Sequence, residues 1–271
     1  MGSEMCIRDS NNTFRCDSCG HTHRDYKGDE VEYHKSQYRD IERRDRSEIS
    51  DDGQIKQLFH EKRKDICEKR LEFVSKYVEE ADNCLDIGAG AGTYANLLSS
   101  HVNTIQCTEL DPSLISECTR LGFEVFTESF LDLEFEGQYD VVSAWHVLEH
   151  VPDINKTVIA LEKKLKHNGA LVVAVPNRDS FDSKAYGEHW AAWDVPRHLY
   201  HFNHNSLENL MKEKGFSLIS KHPLWLDSYY VSYLSSKYKK SVFPLINLIV
   251  GGSLSNILAI FTSKYSSSFY I

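Results

Sequence analysis

Residues 84–98 read C-L-D-I-G-A-G-A-G-T-Y-A-N-L-L, and T-E-L-D-P follows at 108–112. A short apolar run ends in Asp86, turns on Gly88, Gly90 and Gly92, and enters a helical pattern at Tyr94, Ala95, Leu97 and Leu98. Glycines so placed take positive φ and let backbone approach a ligand with no Cβ in the way. Amides at the start of a helix ordinarily attract an anion. Here a carboxylate stands two residues before the first glycine, which changes the ligand.

A dinucleotide would set its pyrophosphate against this turn, and Asp86 would repel it in a low local dielectric. The spacing G-x-G-x-x-G also fails, because position 93 is Thr93. A ligand carrying an ammonium and a sulfonium is drawn to such an acid. S-adenosylmethionine is one, with a ribose whose hydroxyls Glu109, about twenty residues on, is placed to accept. An ordinary strand-turn-helix corner with a capping acid is the alternative, and Glu109 weighs against it.

Residues 84–220 resemble the class I S-adenosylmethionine-dependent methyltransferases, in the branch of ubiquinone-type O-methyltransferases and sugar methyltransferases. The resemblance rests on L-D-I-G-A-G-A-G, T-E-L-D-P, Y-D-V-V-S-A-W-H-V-L-E-H-V-P-D and L-K-H-N-G-A-L-V-V-A-V-P-N, in that order. It implies a cofactor site at Asp86, Gly88, Ala89, Gly90, Glu109, Leu110, Glu128, Ser129 and Trp145. Within it, Glu128 would take the adenine amino group and Ser129 would offer a backbone amide. It also implies a small-molecule or saccharide acceptor, methylated at oxygen. A cofactor-binding module without catalysis and a dinucleotide-dependent oxidoreductase are the competing readings.

Strand and helix patterns alternate after the turn. Ile105–Glu109 reads as a strand, and Asp111-Pro112 opens a helix with an N-cap and a proline at its first position. Further strands are expected at 123–126, 140–144 and 170–175, with a helical face at Ile154, Val158, Leu161 and Leu165 between the last two. A helix is expected over 205–214, capped by Asn205 and Glu208. The fold expected is α/β: a doubly wound, mostly parallel seven-stranded sheet of the Rossmann-like methyltransferase type. Its sixth strand would lie at 217–222 and its antiparallel last strand at 266–271. The domain would occupy 54–271, with a helical insertion at 225–265. Inside the insertion, 242–261 is apolar, but Pro244, Asn247, Gly251, Gly252 and Asn256 argue against a lone membrane span. A helical lid or docking hairpin is expected there, with membrane contact the lesser alternative.

Chemistry is expected in two histidine-rich loops, 145–150 and 189–202. His198 is the first candidate for general base and His150 the second, since a histidine near ~6.5 removes protons at neutral pH. His146, Trp190, Trp193 and Arg197 are candidates for contact with the acceptor, Arg197 either there or bracing Asp194. In the ubiquinone-type branch an E-x-x-E-H pattern is associated with a divalent metal. Here Glu149 and His150 match and His146 replaces the first glutamate, so metal dependence is left open.

The remaining 1–53 reads as an appendage. Residues 1–10 show no periodicity and are set aside from fold reasoning. Cys16 and Cys19, in C-D-S-C-G, form half a zinc knuckle. Structural zinc wants four ligands, and a remnant without metal is the stronger reading. A helical stripe with Phe59 and Phe73 is expected over 54–80, core-facing rather than ligand-facing. The net charge of −9 argues against nucleic acid. Seven cysteines, scattered and odd in number, suit a reducing compartment. Cytoplasm is the expected location.

Overall fold

A computed structural model describes residues 6–8, 13–16, 22–24, 62–78, 81–133, 139–194 and 197–271. In chain order the strands and helices are β1 (Cys6–Arg8), β2 (Thr13–Cys16), β3 (Thr22–Arg24), α1 (Arg63–Val78), β4 (Asn83–Ile87), α2 (Thr93–Leu98) and β5 (Thr104–Thr108). Then come α3 (Pro112–Arg120), β6 (Glu124–Phe126), β7 (Tyr139–Trp145), α4 (Ile154–Lys164), β8 (Leu165–Pro176) and α5 (Phe181–Tyr186). The chain finishes with β9 (Tyr200–His201), α6 (His204–Glu213), β10 (Lys221–Pro223), α7 (Asp227–Tyr238), α8 (Pro244–Thr262) and β11 (Ser267–Tyr270).

One sheet has the order β10-β11-β8-β7-β4-β5-β6 and another the order β1-β2-β3-β9. Strands β7, β4, β5 and β6 pair in parallel, as alternating strands and helices require. Strand β11 is antiparallel to both β8 and β10. The strands and helices expected between 105 and 271 lie within a few residues of their expected places, whereas β1, β2, β3, β9 and α5 had not been expected.

The chain divides into two compact units, 28–145 with 159–172, and 1–27 with 146–158 and 173–271. In the first, β4 lies between β5 and β7, and Leu85, Ile87, Val141, Val142, Ala144 and Cys107 are buried along these strands. Each of the leucine, isoleucine and valine side chains stabilises the fold by roughly 1.5–3 kcal/mol. Helix α3 starts as expected, with Asp111 accepting from the amides of Ser113 and Leu114. The strand register sets Ser143 beside Asp86, which matters for the site below.

In the second unit β1, β2 and β3 pair antiparallel, and β3 pairs with β9 through Thr22–His201 and His23–Tyr200. Segment Cys6–Arg8, set aside on sequence, is thus a paired strand. Helix α6 begins one residue earlier than expected. Its cap is Asn203, which accepts from Ser206 N at 2.8 Å while Ser206 Oγ accepts from Asn203 N at 2.9 Å. The expected pair Asn205 and Glu208 lies within the helix; a serine at the third position closes the box instead of a glutamate. The 225–265 stretch forms α7 and α8, packed against one another.

Candidate functional site

The glycine turn is held by the strands on either side. Gly88 N donates to Thr108 Oγ1 at 3.2 Å, and Ala89 N donates to Thr108 O at 3.0 Å. Gly88, Gly90 and Gly92 have φ of 65°, 59° and 75°, left-handed values that favour glycine. A Cβ on Gly90 would meet nothing within 4 Å, so the turn faces open space there. A Cβ on Gly92 would lie 2.9 Å from Cys118 Sγ and 3.2 Å from Leu121 Cδ1, so these side chains leave room there only for glycine.

Glu109 is buried and gathers three backbone amides: Gly90 N at 2.8 Å, Leu110 N at 2.7 Å and Asp111 N at 3.0 Å. A carboxylate has about four acceptor positions, so capacity for a further donor remains. The acid expected to take two ribose hydroxyls therefore first ties the turn to the end of β5. Asp86 is only 2% exposed, and Ser143 Oγ donates to its Oδ1 at 2.5 Å. Burial raises the Asp86 carboxyl to about 7, while the Ser143 bond and the Arg70 guanidinium oppose that rise. Parallel register of β4 and β7 buries this acid beside Ser143.

Two residues that the sequence did not mark as site residues, Arg70 and Tyr94, meet the expected Trp145 here. Arg70 of α1 stands 4.5 Å from the centroid of the Trp145 ring, a cation–π contact. Tyr94 meets the same ring edge-on at 5.1 Å, and burial drives its hydroxyl well above the ordinary tyrosine range. Tyr94 Oη and Arg70 Nε are buried without a hydrogen-bond partner among the described residues. Orphaned polar atoms beside an open glycine turn suit a polar ligand. Nothing local marks Arg70 in its charged helix; Tyr94 had a signal in following the glycines directly.

Leu110 is half-buried, Glu128 exposed and Ser129 buried, its Oγ accepting from Leu131 N at 3.3 Å. These lie on the loops after β5 and β6, where ligands of such sheets sit.

The second unit gathers the histidines. His146 takes φ of 57° just after β7, and its ring joins two acids, Glu149 Oε1 and Asp227 Oδ2, each at 3.1 Å. Burial opposes its charge, but bonds from Asp227 and Glu149 outweigh burial and raise the imidazole to about 9. Burial likewise acts to raise Glu149, yet the His146 bond and charge bring it to about 2. His146 is thus a held cation rather than a base. Asp227, distant in sequence, gave no advance sign.

His198 is buried, and its Nδ1 donates to Ala192 O at 2.7 Å. His150 Nδ1 donates to Arg197 O at 3.2 Å, and the two rings meet edge-on at 4.7 Å. Carbonyls only accept, so both neutral rings carry the lone pair on Nε2. Asp194 Oδ2 lies 3.8 Å from His198 Nε2 and 3.0 Å from Arg197 Nε, so Arg197 makes the internal brace that was one of its two expected roles. One ligand atom from each of Glu149, His150 and His198 falls within 4.8 Å of the others. Two imidazoles and a carboxylate suit a divalent transition metal.

Trp190 is buried with its indole donating to Asp182 at 2.8 Å, and Trp193 donates to Gly187 O at 2.8 Å. Both rings stiffen this loop, with Trp190 and Trp193 edge-on at 5.1 Å. Cys19 and the side chain of Cys16 lie outside the described residues, as do Phe59 and the side chain of Phe73.

A family model described as a methyltransferase domain matches residues 59–221, more than half of the chain. The chain belongs to the methyltransferase domain family. The family implies S-adenosylmethionine as donor, and membership removes the dinucleotide-dependent oxidoreductase. The methyltransferase domain is 27% identical over 144 residues to the ubiquinone biosynthesis O-methyltransferase of Xanthomonas axonopodis pv. citri, covering 49% of this chain and 60% of that one. The counterpart in Marinobacter nauticus is 32% identical over 126 residues, covering 42% and 53%. The match thus spans well under two thirds of these relatives. Among solved structures, a Galdieria sulphuraria protein assigned as a sarcosine dimethylglycine methyltransferase has a TM-score of 0.54 at 17% identity, covering 77% of this chain and 84% of that one. The cyclase SpnF has a TM-score of 0.53 at 12% identity, covering 74% and 78%. These likenesses establish the α/β Rossmann-like fold, which serves more than one chemistry.

Proposed function

We propose that this protein transfers a methyl group from S-adenosylmethionine to a hydroxyl of a small-molecule or saccharide acceptor. The observation that carries the reading is the buried Asp86 beside a glycine turn open at Gly90, within the family's matched segment. Ionised Asp86 would draw the donor's cationic groups, Glu109 would take a ribose hydroxyl, and Glu128 with Ser129 would border the adenine. Trp145, fixed by Arg70 and Tyr94, would wall the site. When bound, the donor supplies an electrophilic methyl whose bond to sulfur breaks as the new bond to oxygen forms.

His198 Nε2 would accept the hydroxyl proton, because Nδ1 is committed to Ala192 O. His150 is oriented in the same way by Arg197 O and is the second base. If a divalent cation is used, Glu149, His150 and His198 would hold it, and the cation, with His198 Nε2 then a ligand and not a base, would acidify a bound hydroxyl. The choice of oxygen is supported by lone-pair imidazoles and by the ubiquinone biosynthesis O-methyltransferases among the relatives.

The test is transfer of labelled methyl from S-adenosylmethionine to a panel of phenolic and saccharide hydroxyls. His198→Asn should lower kcat by about 10²–10⁴ with donor affinity unchanged. Donor binding without product from any acceptor class would favour a non-catalytic module.

A further inference from the structure

Helix α8 is built inside out for a helix in water. Its buried stripe is Gly252, Ser255, Asn256 and Ala259, while Leu245, Ile246, Ile249, Val250, Leu254, Ile257, Ile260 and Phe261 are exposed. It is the one helix among the described residues long and apolar enough to cross a membrane, with 22% of its apolar window buried. Of the polar and small residues that argued on sequence against a span, Gly251, Gly252 and Asn256 are used inward. A Cβ on Gly252 would lie 2.8 Å from Tyr229 Cα, so the glycine lets α7 and α8 approach closely. Ser255 Oγ donates to buried Asp182 at 2.9 Å, and Asn256 Nδ2 donates to Trp225 O at 2.9 Å. Small residues inward and large aliphatics outward is the packing of helices that meet lipid.

Charge marks what covers this face. From residue 228 to 271 the chain has four lysines, Lys237, Lys239, Lys240 and Lys264, and no acid, although its net charge is −9. Lys239 and Lys240 precede α8 and Lys264 follows it, all three exposed. Exposed Tyr238, Phe243 and Trp225 flank the same region, residue types that favour a membrane interface. A second copy docked through α8 would bring these lysines together, with no acid within 228–271 to offset them. An anionic bilayer satisfies both the aliphatic face and its basic ends.

We propose that α8 lies in the headgroup region of an anionic lipid bilayer, its Leu245–Phe261 face immersed and Lys239, Lys240 and Lys264 on the headgroups. It lies in the plane instead of crossing, because α7 occupies its other side. The inference is independent of which acceptor is methylated.

Flotation of the full-length protein with vesicles tests it. The protein should rise with mixed phosphatidylcholine and phosphatidylglycerol vesicles, and much less with phosphatidylcholine alone. Lys239→Glu and Lys240→Glu should each reduce binding roughly fivefold or more, and added salt should do the same. Ile249→Glu with Ile257→Glu, both at exposed positions, should reduce it at least about tenfold while circular dichroism stays unchanged. Wild-type protein that stays down with anionic vesicles would overturn the proposal. So would binding indifferent to the double isoleucine variant, or a stable dimer in light scattering that this variant converts to monomer.

Discussion

Glu149 accepts a hydrogen bond from His146 at 3.1 Å and keeps its other oxygen buried with no partner among the described residues. A single carboxylate thus fixes the charge of one histidine and offers an oxygen toward two more, His150 and His198.

That pair sets a pH window. His146 is raised to about 9, so its contribution is full below ~6.5 and is lost as pH climbs through 9. Glu149 is lowered to about 2, so its contribution is present above the ordinary carboxylate value and is lost as pH falls through 2. Both shifts describe one interaction and are not added; about 2 kcal/mol is a fair size for it. Thermal melts of wild type and His146→Asn should differ most near pH ~5–6.5 and converge toward pH 9. Parallel curves across that range would refute the assignment.

Donor affinity should also follow pH. Ligand-free Asp86 keeps its proton to about 7, so any stability it gives is lost as pH rises through 7. A cationic donor binds the ionised form, and its affinity should rise up to about tenfold per pH unit below 7. Calorimetry between about pH 6 and 8 would show the slope. Asp86→Asn should flatten it and weaken binding about 10–100-fold.

Two glycines in the turn should separate stability from binding. Gly92→Ala places a Cβ against Cys118 at φ of 75° and should cost about 2–3 kcal/mol in denaturant unfolding. Gly90→Ala meets no atom within 4 Å, so its cost is the positive φ alone, about 1 kcal/mol. Its main effect should be on S-adenosylmethionine affinity, and equal effects on both properties in both variants would count against the open face at Gly90.

Asp182 ties α5 to distant parts of its unit. It is 1% exposed and accepts from Trp190 Nε1 at 2.8 Å, Ser255 Oγ at 2.9 Å and Ser266 Oγ at 2.7 Å. Asp182→Ala strands three buried donors and should lower stability by about 3–5 kcal/mol, read by chemical denaturation. A loss under about 1 kcal/mol would mean that these donors find other partners.

The sequence by itself determined the strands of the larger sheet, the turn at Gly88–Gly92, the Asp111 cap and Glu109 at the end of β5. Each depends on neighbours within a few residues, where φ preference, capping and apolar period act. The Asn203 cap was missed by two residues, with Asn205 expected instead, because serine replaced the familiar glutamate at the closing position. Only the tertiary structure decided that Ser143 meets Asp86, that Arg70 covers Trp145, and that Asp227 and Glu149 hold His146 charged. It also decided that α8 turns its glycine and serines inward and its aliphatics out. These depend on strand register and helix packing between residues far apart in the chain, which no local pattern encodes.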